Sequence, residues 1–173
     1  MKKLFLSSCI LAASTASAEP VNYFTGGLAF LNYDEPGLSA TFDALDIGFG
    51  SKINDFFSVG GKFMIGLNND SVNVVGTSLD IGLKWSYTFE VKPTYPVGDA
   101  FDLYAVLGFT SGEIEAEALG VKITESDSGF SYGFGINRPV SNGYSLRLEY
   151  LNYLEVNNAE VSGVNLGITK TFY

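Results

Sequence analysis

Leu79-Asp80-Ile81-Gly82-Leu83-Lys84-Trp85-Ser86-Tyr87-Thr88-Phe89-Glu90 alternates apolar with polar or small residues without a break. A period of two gathers the six apolar side chains on one face of a strand, whereas a helix would spread them around its circumference. The pattern returns at Phe101, Leu103, Ala105, Leu107 and Phe109, and again at Phe130, Tyr132, Phe134 and Ile136, the last set interleaved with Ser131, Gly133 and Gly135. Strands with one apolar face therefore dominate the chain.

A weak repeat sets their spacing. Phe57, Phe101 and Tyr144 each follow a turn-forming segment and open a strand, at intervals of 44 and 43 residues. That interval is the length of two strands, a loop and a turn, so the repeating unit is a pair of hairpin strands. Brief turns around Asn54-Asp55, Pro96 to Asp99 and Pro139 to Gly143 are expected on one side. Longer, polar and mostly acidic connections near Asp34 to Ser39, Asn68 to Gly76, Gly112 to Ser128 and Glu155 to Ala159 are expected on the other. The breaks predict eight strands: Val21 to Tyr33, Ala40 to Ile53, Phe56 to Leu67, Thr77 to Tyr95, Phe101 to Ser111, Gly129 to Arg138, Tyr144 to Leu154 and Glu160 to Tyr173. An even number suits a closed barrel with both termini on the short-turn side.

The polar face decides which side of the wall meets lipid. A soluble barrel would show water a dense Lys and Glu exterior, but this polar face is rich in Gly, Ser and Thr with a few charges of both signs, as a narrow filled lumen would be. Phe56, Phe57, Phe101, Tyr144, Phe172 and Tyr173 fall at strand ends on the short-turn side, where a membrane-interface girdle belongs. The fold class expected is all-β, an eight-stranded antiparallel transmembrane up-and-down β-barrel.

Residues 1–18 read as a signal peptide: Lys2 and Lys3, an apolar run from Leu4 to Ala13, and Ala16-Ser17-Ala18 as the cleavage site. Residues 19–173 would then form the outer-membrane barrel domain. Leu6-Ser7-Ser8-Cys9 is similar to a lipoprotein box, but only Leu4 to Leu6 precede it as apolar core. Losing Lys2 and Lys3 leaves eight basic residues against nineteen acidic, a net charge of −11. Nucleic acid, which needs a basic footprint, is not an expected partner.

Leu166-Gly167-Ile168-Thr169-Lys170-Thr171-Phe172 ends on an aromatic after alternate apolar positions. Together with the signal segment and hairpin register, this resembles the small OmpA/OmpX-type bacterial outer-membrane barrels over nearly the whole mature chain. Lys170 and the extra Tyr173 depart from the usual terminal pattern; a lysine there can stretch its ammonium toward the headgroups. The resemblance implies location in the Gram-negative outer membrane, contact with its lipid and lipopolysaccharide, recognition of the C-terminal strand by the barrel assembly machinery, and a monomer. The palmitoyltransferase, lipid A deacylase and omptin protease of this membrane share the architecture but rely on a catalytic histidine, and this sequence has none.

No catalytic, cofactor-binding or metal-binding residues are nominated, and no cofactor is expected. Glu113, Glu115, Glu117, Glu125 and Asp127 cluster in the expected longest external connection and read as a solvated acidic loop, since their spacing departs from a calcium loop. Gly133-Phe134-Gly135 lacks the following helix that a dinucleotide site requires; strand glycines instead read as room for bulky lumen neighbours. Inward alternation should collect Asp46, Lys62, Asp80, Lys84, Asp102, Arg147 and Glu149 into an ion network filling the lumen. The expected function is a structural or surface-interaction role, with a narrow channel or small-solute transporter as the alternative and a soluble ligand-binding barrel as a more distant third.

Overall fold

The computed structural model describes residues 20–74, 77–156 and 158–173. The expected signal segment 1–18 lies outside the described residues. Nine strands follow one another: β1 (Val21–Glu35), β2 (Leu38–Asn54), β3 (Phe57–Gly66), β4 (Asp70–Val74), β5 (Thr77–Val97), β6 (Phe101–Ala118), β7 (Val121–Ser141), β8 (Tyr144–Val156) and β9 (Ala159–Thr171). Phe57, Phe101 and Tyr144, the aromatics of the repeat, are the first residues of β3, β6 and β8.

All the pairings are antiparallel, β1 joins β9, and β3 pairs with β5, so the sheet closes on itself. The short β4 pairs only with β5 and continues the line of β3 after a break. The wall is therefore an up-and-down barrel of eight strands, one of them split. Asparagine chemistry explains the split: Asn68 accepts the Asp43 backbone N–H at 2.6 Å and donates to the Asp43 carboxylate at 3.0 Å. Those bonds replace the ladder that β3 would otherwise make with β2.

The alternation reads out as expected over most of the wall. Phe49, Phe63, Phe89, Phe109, Phe134, Leu148 and Ile168 all face outward and exposed, and apolar residues ring the barrel. A water-soluble surface does not carry an apolar band of that extent, whereas a lipid-facing one requires it. Phe56, Phe57, Tyr144, Phe172 and Tyr173 stand exposed at the short-turn end, with Phe101 half-buried beside them. At the other end Trp85 stacks on Tyr87 at 5.8 Å between ring centroids, and Phe130 on Tyr132 at 6.4 Å. Lys170 donates to the Asn142 carbonyl in the β7–β8 turn and lies 4.3 Å from the Tyr144 ring centre, so its ammonium leaves the lipid as expected.

Two expectations are corrected. The stretch 112–128 is not a loop: β6 and β7 run on as a ribbon to a two-residue turn, with Ala118 opposite Val121. Leu119 and Gly120 both have positive φ, the pairing that a tight hairpin turn needs. Glu113, Glu115 and Glu117 looked like loop residues by polarity, yet their alternation was that of a strand.

The second correction concerns the segment that opened the argument. A bulge between Leu83 and Trp85 inserts Lys84 as an extra residue, because Leu83 pairs with Ile114 and Trp85 with Glu113. An extra residue reverses the parity of everything beyond it. Trp85, Tyr87 and Phe89 point outward as the pattern predicts, but Ile81 and Leu83 point into the barrel and are buried. The six apolar residues thus serve two faces.

Candidate functional site

The lower lumen is filled by charge. Glu149 on β8 accepts Lys62 Nζ at 2.6 Å, Arg147 Nη1 at 2.8 Å, the Tyr104 hydroxyl at 3.0 Å, Lys92 Nζ at 3.1 Å and Asn165 Nδ2 at 3.2 Å. Arg147 Nη2 reaches Asp46 at 2.6 Å, and Lys92 pairs with Glu90 at 2.7 Å. Lys62, Lys92 and Arg147 balance Asp46, Glu90 and Glu149, and all six side chains are buried. Burying a lone ion costs several kcal/mol, on the order of the loss seen when one partner of a buried pair is removed. Neutrality and saturation of Glu149 by donors offset that cost here.

Four residues expected in this network take part: Asp46, Lys62, Arg147 and Glu149. Three do not. Lys84, thrown outward by the bulge, pairs with Glu113 on the barrel exterior. Asp80 accepts the Ser71 hydroxyl near the outer rim. Asp102 lies near the short-turn end, two residues below Tyr104, and takes no part in these bonds. Glu90 and Lys92 were missing from the expected set, although both continue the even-numbered polar face of β5 on the near side of the bulge.

Glycines make room for the aromatic members of the plug. A Cβ on Gly135 would stand 2.4 Å from the Tyr104 ring, and one on Gly50 would meet Tyr23 equally closely. This bears out the reading of strand glycines as space for bulky neighbours. Above the charges, Ala29, Leu31, Phe42, Ala44, Met64, Val106, Leu151 and Tyr153 form an apolar layer. The described lumen is therefore packed through both its ionic and its apolar layers, consistent with an eight-stranded interior just wide enough for side chains.

Beyond that layer the barrel rises into the outer ribbon, and the acidic cluster divides between its faces. Ile114 and Ala116 turn inward, so Glu113, Glu115 and Glu117 turn outward. There Lys122 donates to Glu115 at 2.7 Å and lies 3.4 Å from Glu117. The Lys122 ammonium holds the Glu115 carboxyl below its ordinary pKa, and the bond to Glu113 raises that of Lys84. Glu125 and Asp127, opposite Ile114 and Gly112, share the inward face instead. With Glu35 they line a cavity of about 240 Å³ in the outer mouth, whose walls include Leu31, Met64, Ile81, Leu83 and Ile114.

A closed antiparallel barrel with a lipid-facing apolar band, a filled lumen and ribbons projecting from one end defines an integral outer-membrane protein. Residues 4–172 match the family described as "Outer membrane protein beta-barrel domain", and the chain belongs to that family. The fold is similar to that of Ail, the attachment invasion locus protein of Yersinia pestis, in a structure with the heparin analogue sucrose octasulfate, at 17% identity and a TM-score of 0.67, covering 90% of this chain and 100% of that one. It is also similar to Neisserial surface protein A, at 16% identity and a TM-score of 0.65, covering 87% and 97%. The outer membrane protein OprG of Pseudomonas aeruginosa gives 14% identity and a TM-score of 0.62, covering 89% and 96%. No curated protein matches the sequence. The protein resides in the Gram-negative outer membrane, in contact with its lipid.

Proposed function

We propose that this barrel is a non-catalytic structural and surface-interaction protein rather than a channel. The observation that carries this reading is the neutral six-residue plug centred on Glu149, which occupies the lumen at the level of the lipid-facing band. Solute transfer would require breaking several buried charge-assisted bonds at once. What the chain offers the exterior is instead the β6–β7 ribbon, with its acidic outward face and the apolar tip residue Leu119, 89% exposed. The sulfated sugar that Ail holds is a poor match for that acidic face, which suits a cationic or neutral surface better. The lack of histidine in the sequence supports the non-catalytic part of the proposal.

The same reading includes cleavage after Ala18, a monomeric state and recognition of β9 by the barrel assembly machinery. Planar-bilayer recording of the refolded protein tests it: no steady large conductance is expected, and one would favour the channel alternative. In cells, deleting residues 113–127 should alter attachment or envelope robustness while the remaining barrel still shifts on gels with boiling.

A further inference from the structure

The outer mouth contains a cup that the surface role does not use. It is apolar on its walls, with Leu31, Met64, Ile81, Leu83 and Ile114, and acidic toward the outside, with Glu35, Glu125 and Asp127. Among the described residues no salt bridge engages those three carboxylates, in contrast with Glu113, Glu115 and Glu117 across the ribbon, each of which has a lysine. Tyr33 donates to Glu35 at 2.8 Å, and burial together with the charges of Glu35, Glu125 and Asp127 raises its pKa, so the hydroxyl keeps its proton and stays a donor.

At the floor of the cup lies Ser86, 3% exposed, whose hydroxyl has no hydrogen-bond partner among the described residues. A buried hydroxyl without a partner costs about 1–3 kcal/mol, so its position facing a cavity points to a ligand that completes it. The cup borders the seam between β7 and β8. β6–β7 pairing runs to the ribbon tip and β8–β9 pairing to Val156, but β7 and β8 pair no further out than Tyr132 with Asn152. Beyond that point the two hairpins part, and Leu154 lies over Gly129 within 3.0 Å of where a Cβ would be. The parting begins beside the Phe130–Tyr132 stack, at the outer edge of the apolar band.

We infer that the outer cup is a binding site for a small apolar molecule carrying one cationic group, its hydrocarbon body against Leu83 and Ile114 and its charged N–H donors shared by the Ser86 hydroxyl and the carboxylates of Glu35, Glu125 and Asp127. The cavity of about 240 Å³, just below the ~300–1,000 Å³ of typical drug-sized sites, suits a small ligand, and its apolar walls disfavour a highly polar one. The acids select against anions. This site is independent of the conductance result, because it lies above the plug.

Calorimetry on the full barrel in phospholipid nanodiscs, with adamantan-1-ammonium, adamantan-1-ol and adamantane-1-carboxylate as probes, tests the inference; empty nanodiscs supply the partitioning background. Saturable binding of the ammonium is expected, about tenfold or more above the carboxylate, the factor that a favourable charge term of roughly 1.4 kcal/mol produces. Replacing the acids together, Glu35→Gln, Glu125→Gln and Asp127→Asn, should erase that preference while the alcohol still binds. Leu83→Trp should fill the cup and abolish binding of all three probes. No saturable binding above background, equal affinity for ammonium and carboxylate, or undiminished binding to a folded Leu83→Trp barrel would each overturn it. The acid-to-amide variant keeps the test decisive should Leu83→Trp not fold, because its three positions lie beyond the packed layers.

Discussion

Arg147 on β8 donates from Nη2 to Asp46 on β2 at 2.6 Å, bridging two wall strands that are separated by β9 and β1. Its other terminal nitrogen donates to Glu149 at 2.8 Å, so one guanidinium ties an outlying carboxylate to the centre of the plug. Arg147→Ala would leave Asp46 without its cation and Glu149 with one donor fewer. A loss of about 3–5 kcal/mol is expected, the range for breaking a buried pair, read as a lower temperature of the boiling-dependent gel shift. The double variant Arg147→Ala/Asp46→Ala should recover part of it. Unchanged stability in Arg147→Ala would show that the lumen charges are solvated.

Gly135 and Tyr104 make a second coupled pair. A methyl group on Gly135 would fall 2.4 Å from the Tyr104 ring, and moving that ring takes its hydroxyl away from Glu149. Gly135→Ala should therefore destabilise by about 1–3 kcal/mol, and Tyr104→Ala in the same chain should remove the clash, giving a double variant less harmed than the sum of its parts. Urea unfolding of the refolded barrels measures this. Strict additivity would contradict the contact.

The outer ribbon carries the expected pH dependence. Glu115 has a lowered pKa in the folded ribbon because Lys122 donates to it, with Lys84 a further nearby positive charge. A carboxyl whose folded pKa is depressed contributes stability that is full above its unfolded pKa and disappears as pH falls through the folded value. Ribbon pairing should thus loosen only on acidification below the ordinary carboxylate range, and Lys122→Ala should return the Glu115 pKa upward. Carboxyl-carbon NMR titration reads both. A Glu115 pKa indifferent to Lys122→Ala would place the lysine elsewhere.

Much of this was legible in the residues because lipid and a filled lumen impose opposite chemistries on alternate positions. Phe101 to Phe109, Phe130 to Phe134 and Tyr144 to Tyr150 carry that imprint, and the inward places of Arg147 and Glu149 follow from it. Counting in twos fails wherever one residue is added, which is why Lys84 and Asp80 were expected inside and are not. A hint was present: β5 changes from the aliphatic Leu79, Ile81 and Leu83 to the aromatic Trp85, Tyr87 and Phe89 where the bulge lies. Aliphatic side chains suit a packed interior, and aromatic ones suit an interface. The ribbon was obscured for another reason: outside the membrane both faces of a strand can be acidic, so polarity stopped distinguishing strand from loop. The cup needs both features, the reversed parity that turns Ile81 and Leu83 inward and the ribbon that brings Glu125 and Asp127 to the same side.

That dependence makes the bulge itself testable. Deleting Lys84 would set Leu83 directly beside Trp85, and because their partners Ile114 and Glu113 are themselves neighbours on β6, the ladder should close without a bulge. Trp85 would still face the lipid and Ile81 and Leu83 the lumen, so the walls of the cup should survive the deletion. A cysteine at position 81 reports on this: Ile81→Cys in the otherwise intact barrel should resist a bulky maleimide, because position 81 is 2% exposed. The same cysteine in the Lys84-deleted chain should stay equally protected, while the boiling-dependent gel shift of the barrel persists. Several-fold faster labelling in the Lys84-deleted chain would mean that the outer half of β5 turns over when position 84 is lost, and that Lys84 is not the extra residue of the ladder.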